Sequence, residues 1–159
     1  MLRRLEEDPR LETDERVRHI RSVMLEKDSV TLTPTVEDNL LALLDKNRHN
    51  KMAFEYLMAH YLRIRRPDKV AANIRRLGDF AYPSMPRHYQ EAVLVYADVT
   101  GKRFRIPGYR VDPEIVRRFG EFAEIRRNSV SREDAAHKAM AAGFGNTYFF
   151  YFFFGIWGM

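Results

Sequence analysis

Between Asn50 and Pro83 the chain reads NKMAFEYLMAHYLRIRRPDKVAANIRRLGDFAYP, which spells two short amphipathic helices joined by a tight basic turn. Phe54, Leu57, Met58, Tyr61 and Leu62 recur at the three- and four-residue spacing that lines up one helical face. Arg65, Arg66, Pro67 and Asp68 form the turn, with Pro67 suited to a first helical position where its missing N–H costs nothing. Val70, Ile74 and Leu77 then supply a second stripe, and Gly78 offers a C-cap. A single hairpin of this kind cannot bury its own apolar face, so it requires helical neighbours.

The flanking sequence provides them. Thr13 with Asp14 and Glu15 offers a helix start, and Val17, Ile20 and Met24 share a face beyond it. Val30, Thr31, Thr33 and Pro34 break that helix, after which Thr35 is placed to cap one that carries Val36, Leu40, Leu43 and Leu44. Asn47 to Asn50 reads as a polar turn. Beyond the central hairpin, Tyr82-Pro83-Ser84-Met85-Pro86 enforces an extended connection. A helix with Tyr89, Ala92, Val93, Tyr96 and Ala97 follows and ends near Gly101. Lys102 to Arg110 is a basic loop; Asp112-Pro113-Glu114 starts a helix with Ile115, Phe119, Phe122 and Ala123; Ser131 starts an alanine-rich one running to about Gly143.

These elements predict an all-α fold of about seven helices in stacked antiparallel hairpins. The hairpins begin near Asp14, Asn50 and Pro86, a repeat of roughly 36 residues. The expected organisation is a charged lead-in over residues 1–12, a helical-repeat domain over 13–146 and an aromatic tail over 147–159. With 159 residues, 45% of them apolar and 13% aromatic, the chain can build a core. It has no cysteine, which excludes disulfides, thiolate nucleophiles and Cys-based metal sites. The opening MLRRLEEDPRLETDER mixes charges without an apolar core, so it reads as neither a secretory signal nor a membrane helix.

At the central hairpin the chain resembles a tetratricopeptide repeat. Phe54, Leu57 and Tyr61 fall on that family's first-helix positions, and Val70, Ile74 and Leu77 on its second-helix positions. Met58 stands where the family has a small residue, Val70 and Leu77 stand for alanines, and the closing proline is Pro83, about one place late. The resemblance implies a peptide-binding concave face. The strings NKMAFEYLMAHYL, PRHYQEAVLVY and GNTYFFYFFFG are also similar to the tail of an uncharacterised bacterial family in which a repeat-like helical domain follows membrane-spanning helices. That likeness implies membrane proximity.

The run Tyr148 to Trp157, YFFYFFFGIW, is intensely aromatic but about half the length of a bilayer-spanning helix of about twenty residues. It reads first as a terminal element docked over the last helices, sealing their apolar edge. The alternative is an interfacial anchor or subunit interface through Tyr148, Phe149, Phe152, Phe153 and Trp157. Arginines crowd the inter-helix turns and contribute to a net charge of +5, which favours acidic partners.

Catalytic groups do not assemble. His19, His49, His60, His88 and His137 are scattered, and Glu55 and His60 are five apart, unlike the zinc-binding HExxH pair. Neither an enzymatic activity nor a metal or cofactor is expected. The reading is a cytoplasmic protein-interaction module that binds an unknown protein or acidic peptide through Asn50, Glu55, His60, Arg63, Arg66, Arg87, Glu91 and Arg110, residues off the apolar stripes or at adjoining turns. The alternative is a peripheral membrane domain, or the soluble part of a membrane assembly, held by tail and arginines. Nonspecific nucleic-acid binding ranks last, because no RNP, zinc-finger or helix-turn-helix signature accompanies the charge.

Overall fold

The computed structural model describes residues 14–23, 35–102 and 106–155. The lead-in, Thr13, Met24, the Val30-to-Pro34 break, Arg103, Arg105 and Trp157 lie outside these residues. Among the described residues the fold is all-α, with eight α-helices, one more than the seven or so expected, and a 3₁₀ helix. The chain divides into two compact units, residues 1–60 and 61–159, taken here in turn.

In the first unit, α1 (Glu15–Val23) is capped by Asp14, whose carboxylate accepts from the N–H groups of Arg16 and Val17 at 2.9 and 3.3 Å. α2 (Val36–Lys46) opens with a reciprocal capping box: the Thr35 hydroxyl accepts from Asp38 N–H, and Asp38 accepts from Thr35 N–H. Leu44 is the buried residue of this helix, whereas Val36, expected on its apolar stripe, is exposed. α3 (Lys51–Arg63) starts at Asn50, whose side-chain oxygen accepts from Ala53 N–H at 3.1 Å. Phe54, Leu57 and Met58 are fully buried, and Tyr61, just past the unit boundary, is nearly so. The stripe read from the sequence is therefore the inner face of α3.

The second unit begins as α3 ends. Arg66 N–H donates to Tyr61 C=O and Arg65 N–H to Leu62 C=O, at 2.9 and 3.1 Å, while Arg65 takes φ 55°. This is a Schellman closure with arginine at the left-handed position that glycine usually holds. Pro67 opens α4 (Pro67–Asn73), which tightens into a 3₁₀ helix, Ile74–Phe80. Gly78 does not end this element as its sequence suggests; it lies inside the 3₁₀ segment, and Ala81 terminates it at φ 50°.

α5 (Arg87–Thr100) is the centre of the unit: it packs against α4, α6 (Pro113–Arg127) and α8 (Tyr148–Phe154), with Ala92, Val93 and Val95 buried. Gln90 ties its two flanking loops together, donating to Met85 C=O at 2.7 Å and accepting from Asp112 N–H at 2.6 Å. Asp112 caps α6, Ser131 caps α7 (Arg132–Ala141) and Thr147 caps α8, each through a side-chain oxygen.

The aromatic tail is a helix docked on α5 and α7. Phe122 of α6 is wholly buried, with ring centroids 5.0 Å from Phe149, 5.6 Å from Phe144 and 5.9 Å from both Phe153 and Phe154. Tyr148, Phe149 and Phe150 are buried with it. Two of the residues considered for membrane or subunit contact, Tyr148 and Phe149, thus lie inside the protein, because the turns before α8 aim its first half at the core. Phe152 and Phe153 are half-buried.

Candidate interaction surface

A helix whose buried residues fall on one side presents the rest to solvent. On α3 the residues opposite Phe54, Leu57 and Met58 include two large apolar side chains, Met52 at 56% exposure and Tyr56 at 63%. They are four apart and so lie one turn above the other. Glu55 lies on the exposed side and pairs with Lys51 at 3.9 Å; His60 is partly exposed and Arg63 exposed. The sequence reading names Glu55, His60 and Arg63 here and does not include Met52 or Tyr56. The signal that finds them is phase: both fall outside the stripe set by Phe54, Leu57 and Met58.

The remaining candidates have different roles. Arg66 is exposed at the turn, where its guanidinium forks onto Asp68 at 2.9 and 2.7 Å. The Arg66 hydrogen bonds, and then its charge, hold the Asp68 carboxyl below its ordinary value. Arg110 is exposed in the loop before α6. Asn50 is 4% exposed and works as the α3 cap, so it is not a surface contact.

Glu91 departs most from its expected place. Its side chain is 1% exposed, and its carboxylate accepts from Arg87 Nε at 2.8 Å, pairs with His88 Nδ1 at 3.0 Å and accepts from the backbone N–H of Tyr148 at 2.7 Å. Burial pushes the carboxyl pKa upward, but the hydrogen bonds from His88, Tyr148 N–H and Arg87 outweigh it and hold the group below its ordinary value. Glu91 is therefore the pin that fixes the start of α8 to α5. Arg87 and His88 lie over it at the surface and shield one side.

Arg65 and Arg63 secure the other end of the tail helix. The Arg65 guanidinium stands 5.7 Å from the Tyr151 ring centroid, and the Tyr151 hydroxyl donates to Arg63 C=O at 2.6 Å. The arginine-rich turn thus has structural work beside any binding.

Among the described residues there is no group of three or more His, Asp or Glu side chains able to hold a metal ion. Open cavities of about 230 to 480 Å³ lie among the described residues of α5 to α8. No described helix is long and apolar enough to cross a membrane.

Over residues 1–155 the sequence matches a family model described as a family of unknown function (DUF6057). The chain belongs to this family. The match takes in every described residue, so the family's sequence pattern runs through both compact units. No curated protein and no solved structure matches the chain.

Proposed function

We propose that this member of the family is a non-enzymatic interaction module that holds an acidic peptide or protein segment against the outward face of α3. The observation that carries the reading is the exposure of Tyr56 and Met52, one turn apart, on a helix whose opposite face is spent on the core. Tyr, Met and Arg are the residue types enriched where proteins meet. The net charge of +5 favours an acidic partner.

In this reading the helices act as tetratricopeptide-like hairpins in a cytoplasmic scaffold. The membrane alternative would rest on Phe152, Phe153 and Trp157, since Tyr148, Phe149 and Phe150 are buried.

The deciding experiment compares the chain with a Met52→Ala, Tyr56→Ala double variant as baits in the source cell. The expected result is a partner lost about tenfold or more from the variant, as when central aromatic contacts are truncated, while circular dichroism stays the same. Recovery of the same partner at undiminished yield ends the assignment to α3.

A further inference from the structure

The last turn of α6, the first turn of α7 and the end of α8 enclose an open cavity of about 270 Å³. Arg126, Arg132, Ser129, Ser131, Phe153 and Phe154 line it, and no carboxylate does. The two arginines are held by different parts of one residue. The Arg126 guanidinium carbon lies 3.4 Å from the centroid of the Phe153 ring, and Arg132 Nη2 donates to the Phe153 carbonyl oxygen at 2.9 Å. Asp98 takes one corner of Arg126, with Nη1 3.3 Å from Oδ2.

A guanidinium carries five N–H donors in a fixed fork, so one bond to Asp98 and one to a carbonyl leave most of both forks uncommitted among the described residues. Holding each plane in advance removes much of the ordering cost of binding. The nearby acids have other work. Asp134 accepts from Val130 N–H at 3.1 Å and Lys138 Nζ at 2.6 Å. Glu133 is kept below the ordinary carboxyl range by its own N–H, the Ser131 hydroxyl and the charge of Arg132.

One fork saturates the two oxygens of a carboxylate, whereas the non-ester oxygens of a phosphate monoester can occupy two forks at once. We propose that this cavity binds a phosphate ester, its oxygens between Arg126 and Arg132 and its organic part against Phe153 and Phe154. The monoester can come from a soluble phosphorylated metabolite or from a lipid headgroup that ends in a phosphate monoester, since the cavity is open and Phe153 is half-exposed beside it. The site is separate from the outward face of α3 and does not depend on it.

Nitrogen-15 NMR of the full chain tests the proposal, with inorganic phosphate and glycerol 3-phosphate as soluble probes. Saturable shifts are expected in the Ser129-to-Arg132 amides and the Arg126 and Arg132 Nε signals, at about millimolar affinity for phosphate and about tenfold tighter for the ester. Arg132→Gln should weaken both about tenfold, and Arg132→Lys, which keeps charge without the fork, should fall between. Arg126→Gln is the companion variant; if losing the stack on Phe153 unfolds it, the Arg132 pair decides alone. Vesicles of phosphatidylcholine with and without phosphatidic acid, whose headgroup is itself a phosphate monoester, separate the sources: retention on the anionic vesicles that Arg132→Gln abolishes assigns a lipid, and response to the soluble ester alone assigns a metabolite. Shifts spread evenly over the arginines, or unchanged in Arg132→Gln, overturn the site.

Discussion

Tyr148 and Ala81 show how single residues carry costs here. The Tyr148 side chain is wholly buried, and its hydroxyl has no hydrogen-bond partner among the described residues. Burial pushes the hydroxyl pKa above the ordinary tyrosine range. An orphaned buried hydroxyl costs about 1–3 kcal/mol. Tyr148→Phe keeps the ring and removes the orphan, so it should raise stability by about 1 kcal/mol in urea titration; a loss of stability would mean that the hydroxyl is satisfied in solution. Ala81 ends the 3₁₀ helix at φ 50°, where a Cβ costs about 1–2 kcal/mol. Glycine relieves that strain but adds about 0.4–1 kcal/mol of unfolded-state entropy. Ala81→Gly should therefore gain about 0.5–1 kcal/mol, read as a raised Tm. The residue chemistry that the sequence displayed openly was local: Thr35, Asp112 and Ser131 cap the helices they precede because their partners lie two or three residues away. Ala81 stayed hidden because nothing in alanine signals a left-handed turn, and Gly78 nearby offered a false one.

At the scale of elements, α8 is the instructive case. A seven-residue helix is too short to persist alone in water. It is held at its start by Thr147 and Glu91, along its length by Phe122 and at its far end by Arg65 and Arg63. That the tail docks was legible in its aromatic composition; which residue anchors it was not. Glu91 pairs with Tyr148, 57 residues on, and no local spacing reveals such a contact. The same distance misled the choice of Glu91 as a surface contact, since a charge amid Tyr89, Ala92 and Val93 reads as an exposed interruption. The electrostatics have a definite sign. The folded-state pKa of Glu91 is depressed below its ordinary 4.5, so its stabilising contribution is complete above that value and is lost as pH falls through the lower folded-state pKa. Glu91→Gln keeps the shape, and its amide oxygen can still accept from Tyr148 N–H, but the charge assistance goes. The variant should be about 1–3 kcal/mol less stable at pH 7, and the gap should close on acidification below about 4.5. Urea titrations of both proteins at pH 7 and pH 3 check it; an equal gap at both would mean that the charge of Glu91 is immaterial to the docking of α8.

Across the whole chain, burial is unevenly distributed, and stability should follow it. No residue of α1 whose burial is described is buried, and Leu44 is the buried residue of α2. In α5, by contrast, Tyr89, Gln90, Glu91, Ala92, Val93 and Val95 are all buried, and the helix packs on α4, α6 and α8. Fully burying a Leu- or Val-sized side chain contributes about 1.5–3 kcal/mol, so α5 has several such contributions and α1 none from its described side chains. The amides of α1 should then exchange by local opening at little free-energy cost, those of α2 somewhat more slowly, and those of α5 only with global unfolding of the second unit. The order was not legible in the sequence, where Val17 and Ile20 recur on α1 much as Leu40 and Leu44 do on α2. Periodicity shows that a helix has an apolar side; it does not show that anything covers it, and Ile20 is in fact 52% exposed. Native-state hydrogen exchange in low denaturant measures the order directly. Protection in α1 equal to that in α5 would mean that its apolar residues are covered in solution, and the contrast in burial would then fail as a guide to the stability of this chain.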